Sequence, residues 1–280
     1  MFLYNYTTII FISLGGSMEK NLFNLFSMKG KVSLITGGAG GLGFYMAKGL
    51  AQAGSDIIIA DINYDGARQA AEKLEIYGIK SIGVALDITN EKSIVNMKEE
   101  IIKIFGTLDV LVNCAAINHH TSIENCSIED MERIMNVNVA GTFAVTKHIG
   151  QIMKEKKSGS IINIASHSGT IVNTPQLQAA YNTSKAAVIH LARCVASEWA
   201  PYNIRCNSVS PGYMSQGMSN VKGRSEKKDS NAQKLIMDMS PMKRVCQPEE
   251  LVGAVIYLAS DASTFTTGID IMVNGGFHIW

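Results

Sequence analysis

The sequence predicts a single α/β domain built as a doubly wound parallel sheet covered by helices on both faces. Three observations carry that expectation. Short apolar, β-rich runs recur along the 280 residues, helix-length segments separate them, and a glycine-rich turn joins the first run directly to the first helix. A strand buried on both faces has no polar side to show, so it reads as a continuous apolar run. No Pro- or Ser-rich linker and no internal repeat divides the chain, which places residues 28–280 in one unit.

The elements come in a regular order. Residues 1–27 form an N-terminal extension, in which the apolar run at 8–14 is too short to cross a bilayer and no Lys or Arg precedes it as in a secretory signal. Met18 opens a more ordinary polar leader, so translation is expected to start there, with residues 1–17 an upstream extension. Strands are expected at 32–36 (VSLIT), 56–60 (DIIIA), 81–85 (SIGVA), 110–113 (VLVN), 160–165 (SIINIA) and 269–273. Helices are expected at 44–53, 66–77, 94–105, 128–156, 179–200 and 249–260.

Composition excludes several function classes. With 25 basic and 24 acidic residues the chain has no broad electrostatic footprint for nucleic acid or an anionic membrane. Small molecules and further copies of the chain are the partners to expect. Cys114, Cys126, Cys194, Cys206 and Cys246 are scattered without CxxC spacing, so neither a disulfide framework nor a zinc site is indicated, and a reducing cytoplasm suits them. His119 and His120 are adjacent but lack a third spaced ligand, so no metal site is expected there.

The first expected strand runs into Thr36-Gly37-Gly38-Ala39-Gly40-Gly41-Leu42-Gly43, and a helix begins at once. Glycines there let the backbone turn tightly and approach a pyrophosphate, while the helix N-terminus offers free N–H groups and a positive dipole. Asp61 stands 18 residues beyond Gly43, at the end of the second strand. A carboxylate in that place accepts hydrogen bonds from a ribose 2′-hydroxyl and repels a 2′-phosphate, which points to NAD over NADP. Ile62 and Asn63 come next in the chain, so no basic residue competes as a phosphate anchor.

Tyr181 and Lys185 are four residues apart and share one helix face. A tyrosine near its ordinary pKa of about 10 is a poor base at neutrality, and an adjacent cation favours the phenolate. The pair is a candidate proton-transfer device.

The motifs TGxxxGxG, Asp87 after the third strand, Asn113 after the fourth, Asn138 within VNVAG, a serine after the fifth, YxxxK and Pro211-Gly212 occur in the order of the short-chain dehydrogenase/reductase family, which the chain resembles from about Met28 to Trp280. The family resemblance implies a Rossmann-type fold. The run INIASHSGTIVNTPQLQAAYNTSK, the later SEWA and the terminal GGFHIW are similar to polyol and sugar dehydrogenases, notably galactitol, arabinitol and sorbose-reducing members. The same resemblance implies roles for individual residues. Tyr181 would be the general base, Lys185 would lower its pKa and hold the nicotinamide ribose, and Ser166 would bind the substrate oxygen. Asn138 would kink its helix and hold a water in the proton relay. Gly37, Gly41, Leu42 and Gly43 would hold the pyrophosphate side of NAD. Asp61 would bind the ribose 2′-hydroxyl, and Asp87 and Ile88 are further cofactor-binding candidates. Asn113, Ala115, Tyr181, Lys185, Pro211, Gly212 and Met214 would line the remainder of the cofactor. A homotetramer is implied too, with helices near 128–156 and 179–200 at its interfaces.

The serine has two candidates. Ser166 lies 15 residues before Tyr181 and Ser168 lies 13 before it, the commoner family spacing; the extended loop SGxIVNxPQ favours Ser166. Ser168 and His167 would then line the substrate side or shape the turn. Departures from the family pattern are Cys114 and Ala116 in an NNAG-like site, Gln216 where a Thr is common, and Asn274 before the paired glycines. A substrate lid is expected near 213–240, where Lys222, Arg224, Lys227 and Lys228 cluster. The implied activity is NAD-dependent oxidation of a polyol or sugar alcohol; a 3-oxoacyl, hydroxysteroid or other carbonyl reductase, or a dinucleotide-binding sensor without turnover, fits the same scaffold.

Overall fold

The computed structural model describes residues 21–215 and 230–279. Expectations on residues 1–20, on Gln216, on the cluster Lys222, Arg224, Lys227 and Lys228, and on Trp280 lie outside the described residues.

Seven strands form one parallel sheet: β1 (Val32–Thr36), β2 (Asp56–Asp61), β3 (Ser81–Ala85), β4 (Val110–Asn113), β5 (Gly159–Ile164), β6 (Ile204–Pro211) and β7 (Asp270–Val273), in the order β3-β2-β1-β4-β5-β6-β7. The helices are α1 (Leu22–Leu25), α2 (Gly41–Gln52), α3 (Tyr64–Glu72), α4 (Glu91–Phe105), α5 (Ile128–Met135), α6 (Thr142–Lys156), α7 (Ala179–Trp199), α8 (Ser230–Met239) and α9 (Val252–Ala259). Alternate residues of the central strands enter two cores. Leu34, Ile58 and Leu111 pack with α4 and α6, while Ile35, Ile57, Ile59 and Val112 pack with α2 and α9. Burial on both faces is the reason these strands read as unbroken apolar runs.

Strand order reverses between β1 and β4, where Thr36 pairs with Asn113 at their C-terminal ends. Such a switch point is the place where open α/β sheets take their ligands.

Two elements differ from the sequence expectation. Strand β6 is absent from that expectation, because Asn207, Ser208 and Ser210 give it a polar look although all three are fully buried. Their needs are met locally: Asn207 donates to the Thr266 carbonyl and accepts from Ile269 N–H, and both serines donate to the Asp270 carboxylate. The expected helix over 128–156 is broken by a π-helical stretch at Asn136–Gly141, between α5 and α6. Asn138 lies inside that stretch, so the implied kink takes the form of an inserted π turn.

Candidate active site

The glycine-rich turn is shaped by close approach. Gly37 has φ +67°, and a Cβ there would stand 2.8 Å from Ala115 Cα. A Cβ on Gly43 would overlap the Gly37 carbonyl. Gly41 has φ +52° and opens α2, whose N-cap Gly40 makes no side-chain cap bond, so the first N–H groups of the helix have no capping oxygen. Leu42 is half-buried against the core beneath the turn. The Asp61 carboxylate closes the outer side, accepting from Ala39 N–H at 3.1 Å and Asn63 N–H at 3.0 Å. A turn that only glycine can make, an uncapped helix N-terminus and a carboxylate at the end of the neighbouring strand fit a dinucleotide.

The remaining cofactor candidates lie along the same C-terminal edge. Ala115 and Cys114 donate their N–H groups to Thr36 Oγ1 at 3.2 and 3.1 Å, tying the loop after β4 to the first strand. Asn113 is buried and its amide donates to Thr146 Oγ1 at 3.1 Å and Asn163 Oδ1 at 2.9 Å, so its side chain braces β5 and α6. The Asp87 carboxylate accepts from the Thr89 backbone and hydroxyl at 2.9 and 2.7 Å, and buried Ile88 packs where a Cβ on Gly141 would fall. Pro211 ends β6, Gly212 sits so close to Asn274 that a Cβ would reach 2.7 Å from its Cα, and Met214 bridges to Cys246. Asn274, which stands before the paired glycines, accepts from Gly276 N–H at 3.1 Å and braces the C-terminal turn.

The expected quartet comes together. Ser166 is at the end of β5, and Tyr181 and Lys185 lie one turn apart on α7; all three are buried. Ser166 Oγ donates to Ser168 Oγ at 3.0 Å while accepting from Ser168 N–H at 3.2 Å, and it is the Ser166 hydroxyl that acts on the Tyr181 phenol. Lys185 Nζ lies 5.6 Å from the Tyr181 ring centre and donates to the Ile164 carbonyl at 2.8 Å. The Asn138 amide clamps the Ile117 backbone from both sides, at 2.8 and 2.9 Å, and donates to Ser184 Oγ at 2.9 Å. Both of its N–H groups and its oxygen are engaged within the protein, so its side chain has no vacant donor for a water.

Electrostatics depart from the simple sequence expectation. Burial pushes the Tyr181 phenol above its ordinary value, opposed by the Ser166 hydrogen bond. Lys185 does not pull it below that value; burial instead brings the ammonium down to about 8. Burial also pushes the neighbouring Cys114 thiol up to about 11, which makes it an inert small side chain.

Beyond Ser166 lies a wall that the motifs do not reveal. His167, Tyr213 and Phe277 pack as a ring trio with centres 5.0–5.3 Å apart. Asn173 and Gln178, both buried, join that trio to Ser168. One signal for Gln178 is present in the sequence, its place one helical turn before Tyr181. Asn173, Tyr213 and Phe277 are brought in from separate loops, and no local spacing marks them. His119 stands 3.2 Å from the Asp130 carboxylate.

A strand-order switch point, a dinucleotide cradle and a buried Ser-Tyr-Lys set define a nicotinamide-dependent oxidoreductase. A family model described as enoyl-(acyl carrier protein) reductase matches residues 37–278. Similar proteins include a probable NADP-dependent mannitol dehydrogenase of Yarrowia lipolytica, 40% identical and covering 93% of this chain and 92% of the relative. A sorbose reductase of Candida albicans is 38% identical, over 93% and 91% of the two chains. The crystal structure of gox2181 superposes with TM-score 0.87 at 36% identity, over 92% of this chain and 99% of that one. The chain belongs to the short-chain dehydrogenase/reductase family.

Proposed function

We propose that the protein is a polyol dehydrogenase that uses NAD to oxidise a secondary hydroxyl of a sugar alcohol to a ketone, reversibly. The observation that carries the reaction is the buried set of Ser166, Tyr181 and Lys185, with the Lys185 ammonium 5.6 Å from the Tyr181 ring centre. Tyr181 exchanges the proton of the carbinol oxygen, Ser166 holds that oxygen, and Lys185 supplies positive charge beside the phenol. Asn138 serves by fixing the loop at Ile117. When bound, nicotinamide accepts or returns the hydride. The substrate class rests on the names of two relatives, a mannitol dehydrogenase and a sorbose reductase, and on the amide-lined wall beside Ser166. Absorbance of NADH with a panel of alditols, hydroxysteroids and 3-hydroxyacyl compounds tests it; turnover confined to the latter two classes would discard the polyol reading.

The choice of NAD rests on Asp61. NADP stands in the names of four relatives, all mannitol dehydrogenases. In this chain a carboxylate held by two backbone N–H groups occupies the end of β2, with Ile62 and Asn63 after it. A hydrogen bond to a charged group is worth about 1.5–3 kcal/mol, so Asp61→Ser is expected to lower the NAD-over-NADP ratio of kcat/KM by roughly ten- to hundredfold. A ratio that does not move would take Asp61 out of cofactor choice.

A homotetramer remains part of the proposal, supported by Phe143 on α6 at 55% exposure and Ile128 on α5 at 68%. Light scattering on the wild type and on Phe143→Arg is expected to give four subunits and a smaller assembly; a monomeric wild type would end the idea. Among the described residues no helix is long and apolar enough to cross a membrane. The cytoplasm is proposed from the free, scattered cysteines.

A further inference from the structure

Ser184 lies between Tyr181 and Lys185 in the sequence, on the same side of α7, and the reaction as described leaves it without a role. Its hydroxyl makes two hydrogen bonds whose directions are both determined. Asn138 Oδ1 accepts from Ile117 N–H at 2.8 Å, which fixes the amide and turns Nδ2 toward the Ile117 carbonyl at 2.9 Å and Ser184 Oγ at 2.9 Å. An amide nitrogen can only donate, so Ser184 Oγ accepts there and gives its own hydrogen to the Tyr181 carbonyl at 2.7 Å. The Asn138 backbone is pinned as well, its carbonyl accepting from Thr142 Oγ1 at 2.8 Å. One chain of bonds thus runs from the loop after β4, through the π turn, to the backbone of the residue that carries the phenol. Among the described residues no other hydrogen bond joins the π turn to α7.

Both ends of the bridge are closed to water, with Ser184 at 0% and Asn138 at 1% exposure. Without the hydroxyl, an Asn138 N–H is left buried and unpaired, and turning the amide to relieve it gives up the grip on Ile117. Proton and hydride transfer both depend on reacting groups held in register, and a small displacement is costly. We propose that Ser184 is a positioning residue of the reaction. Its hydroxyl locks the helix that carries Tyr181 and Lys185 to the loop after β4, and so sets where the phenol stands relative to the dinucleotide cradle. This rests on the assignment of proton transfer to Tyr181 and adds the group that holds that residue in place.

The test reads kcat and KM separately in the full chain with NAD, taking D-mannitol as first probe and then the rest of the alditol, hydroxysteroid and 3-hydroxyacyl panel. Ser184→Ala is expected to lower kcat by about ten- to a hundredfold while KM for NAD moves by less than about twofold. Ser184→Thr, which keeps the hydroxyl, should recover most of that loss. In a double-mutant cycle, Ser184→Ala placed on Asn138→Ala is expected to cost less than about threefold more, because the bridge is already gone. Four results overturn the proposal: wild-type kcat in Ser184→Ala, a rise in its KM for NAD as large as the fall in kcat, a Ser184→Thr variant no better than Ser184→Ala, or single losses that multiply in full in the cycle. Any of them beside a silent Tyr181→Phe strikes this proposal alone. Turnover retained in Tyr181→Phe, or a wild type silent toward the whole panel, strikes the reading on which it rests.

Discussion

Tyr181→Phe is expected to lower turnover by about a thousandfold or more, because it removes the proton-exchanging phenol from the buried Ser166, Tyr181 and Lys185 set. The ring stays, so the fold should stay: the residue is buried, and the change deletes one hydrogen bond, a cost of about 1 kcal/mol. Quenching of tryptophan fluorescence or calorimetry should therefore show NADH binding close to wild type while the absorbance assay falls silent. Retained turnover would remove Tyr181 from the mechanism. The direction of its pKa adds a second check. Burial keeps the phenol protonated at neutrality, ready to act as the acid in ketone reduction. Alcohol oxidation needs the deprotonated form, so its kcat/KM should climb with pH above neutrality, while ketone reduction, which uses the protonated form that burial maintains, should stay level there and fall only above the ordinary tyrosine pKa of about 10. Parallel pH profiles for the two directions would contradict that assignment.

The parts of this chain that are legible in the sequence are those whose constraint is local. VSLIT and DIIIA are buried on both faces and must be apolar at almost every position, so they announce themselves as strands. Gly37 and Gly43 are required by contacts within a few residues or with one neighbouring loop, and the Tyr181–Lys185 spacing is set by the pitch of a single helix. What is hidden depends on partners far along the chain. Ser208 and Ser210 look like turn residues until Asp270 is placed beside them. The Asn173 amide shows nothing until Tyr213 and His167 converge on it from other strands' ends. Raising of the Tyr181 pKa is hidden for a related reason: a cation four residues away is visible in sequence, whereas the depth of burial that outweighs it is a property of the finished core.

Gly83 is a further case of a hidden constraint, and it carries the largest expected effect on stability. Within β3 it reads as a small residue in an apolar run, SIGVA. In the fold, α3 lies backbone against strand at this point: a Cβ on Gly83 would overlap the backbone of Ala67 and Arg68. Buried Ala67, Ala70 and Ala71 give α3 the flat face that permits this approach. A flexible side chain could rotate away from an intruding methyl, but backbone cannot, so Gly83→Val should force the whole helix outward. Overpacking of that kind is expected to cost about 3 kcal/mol or more, which for a domain of this size lowers Tm by roughly 6–12 °C. The damage should also reach the cofactor, because α3 begins at its cap Asn63, whose N–H holds the Asp61 carboxylate. Weaker NADH binding should accompany the lower Tm. Gly253→Ala is the matched control: it lies exposed in α9 with nothing within 4 Å of its would-be Cβ, and a helical Gly→Ala change there should raise stability by about 0.5–1 kcal/mol. If Gly83→Val melts with the wild type, or if the control falls with it, close packing of α3 on β3 is not what positions Asp61.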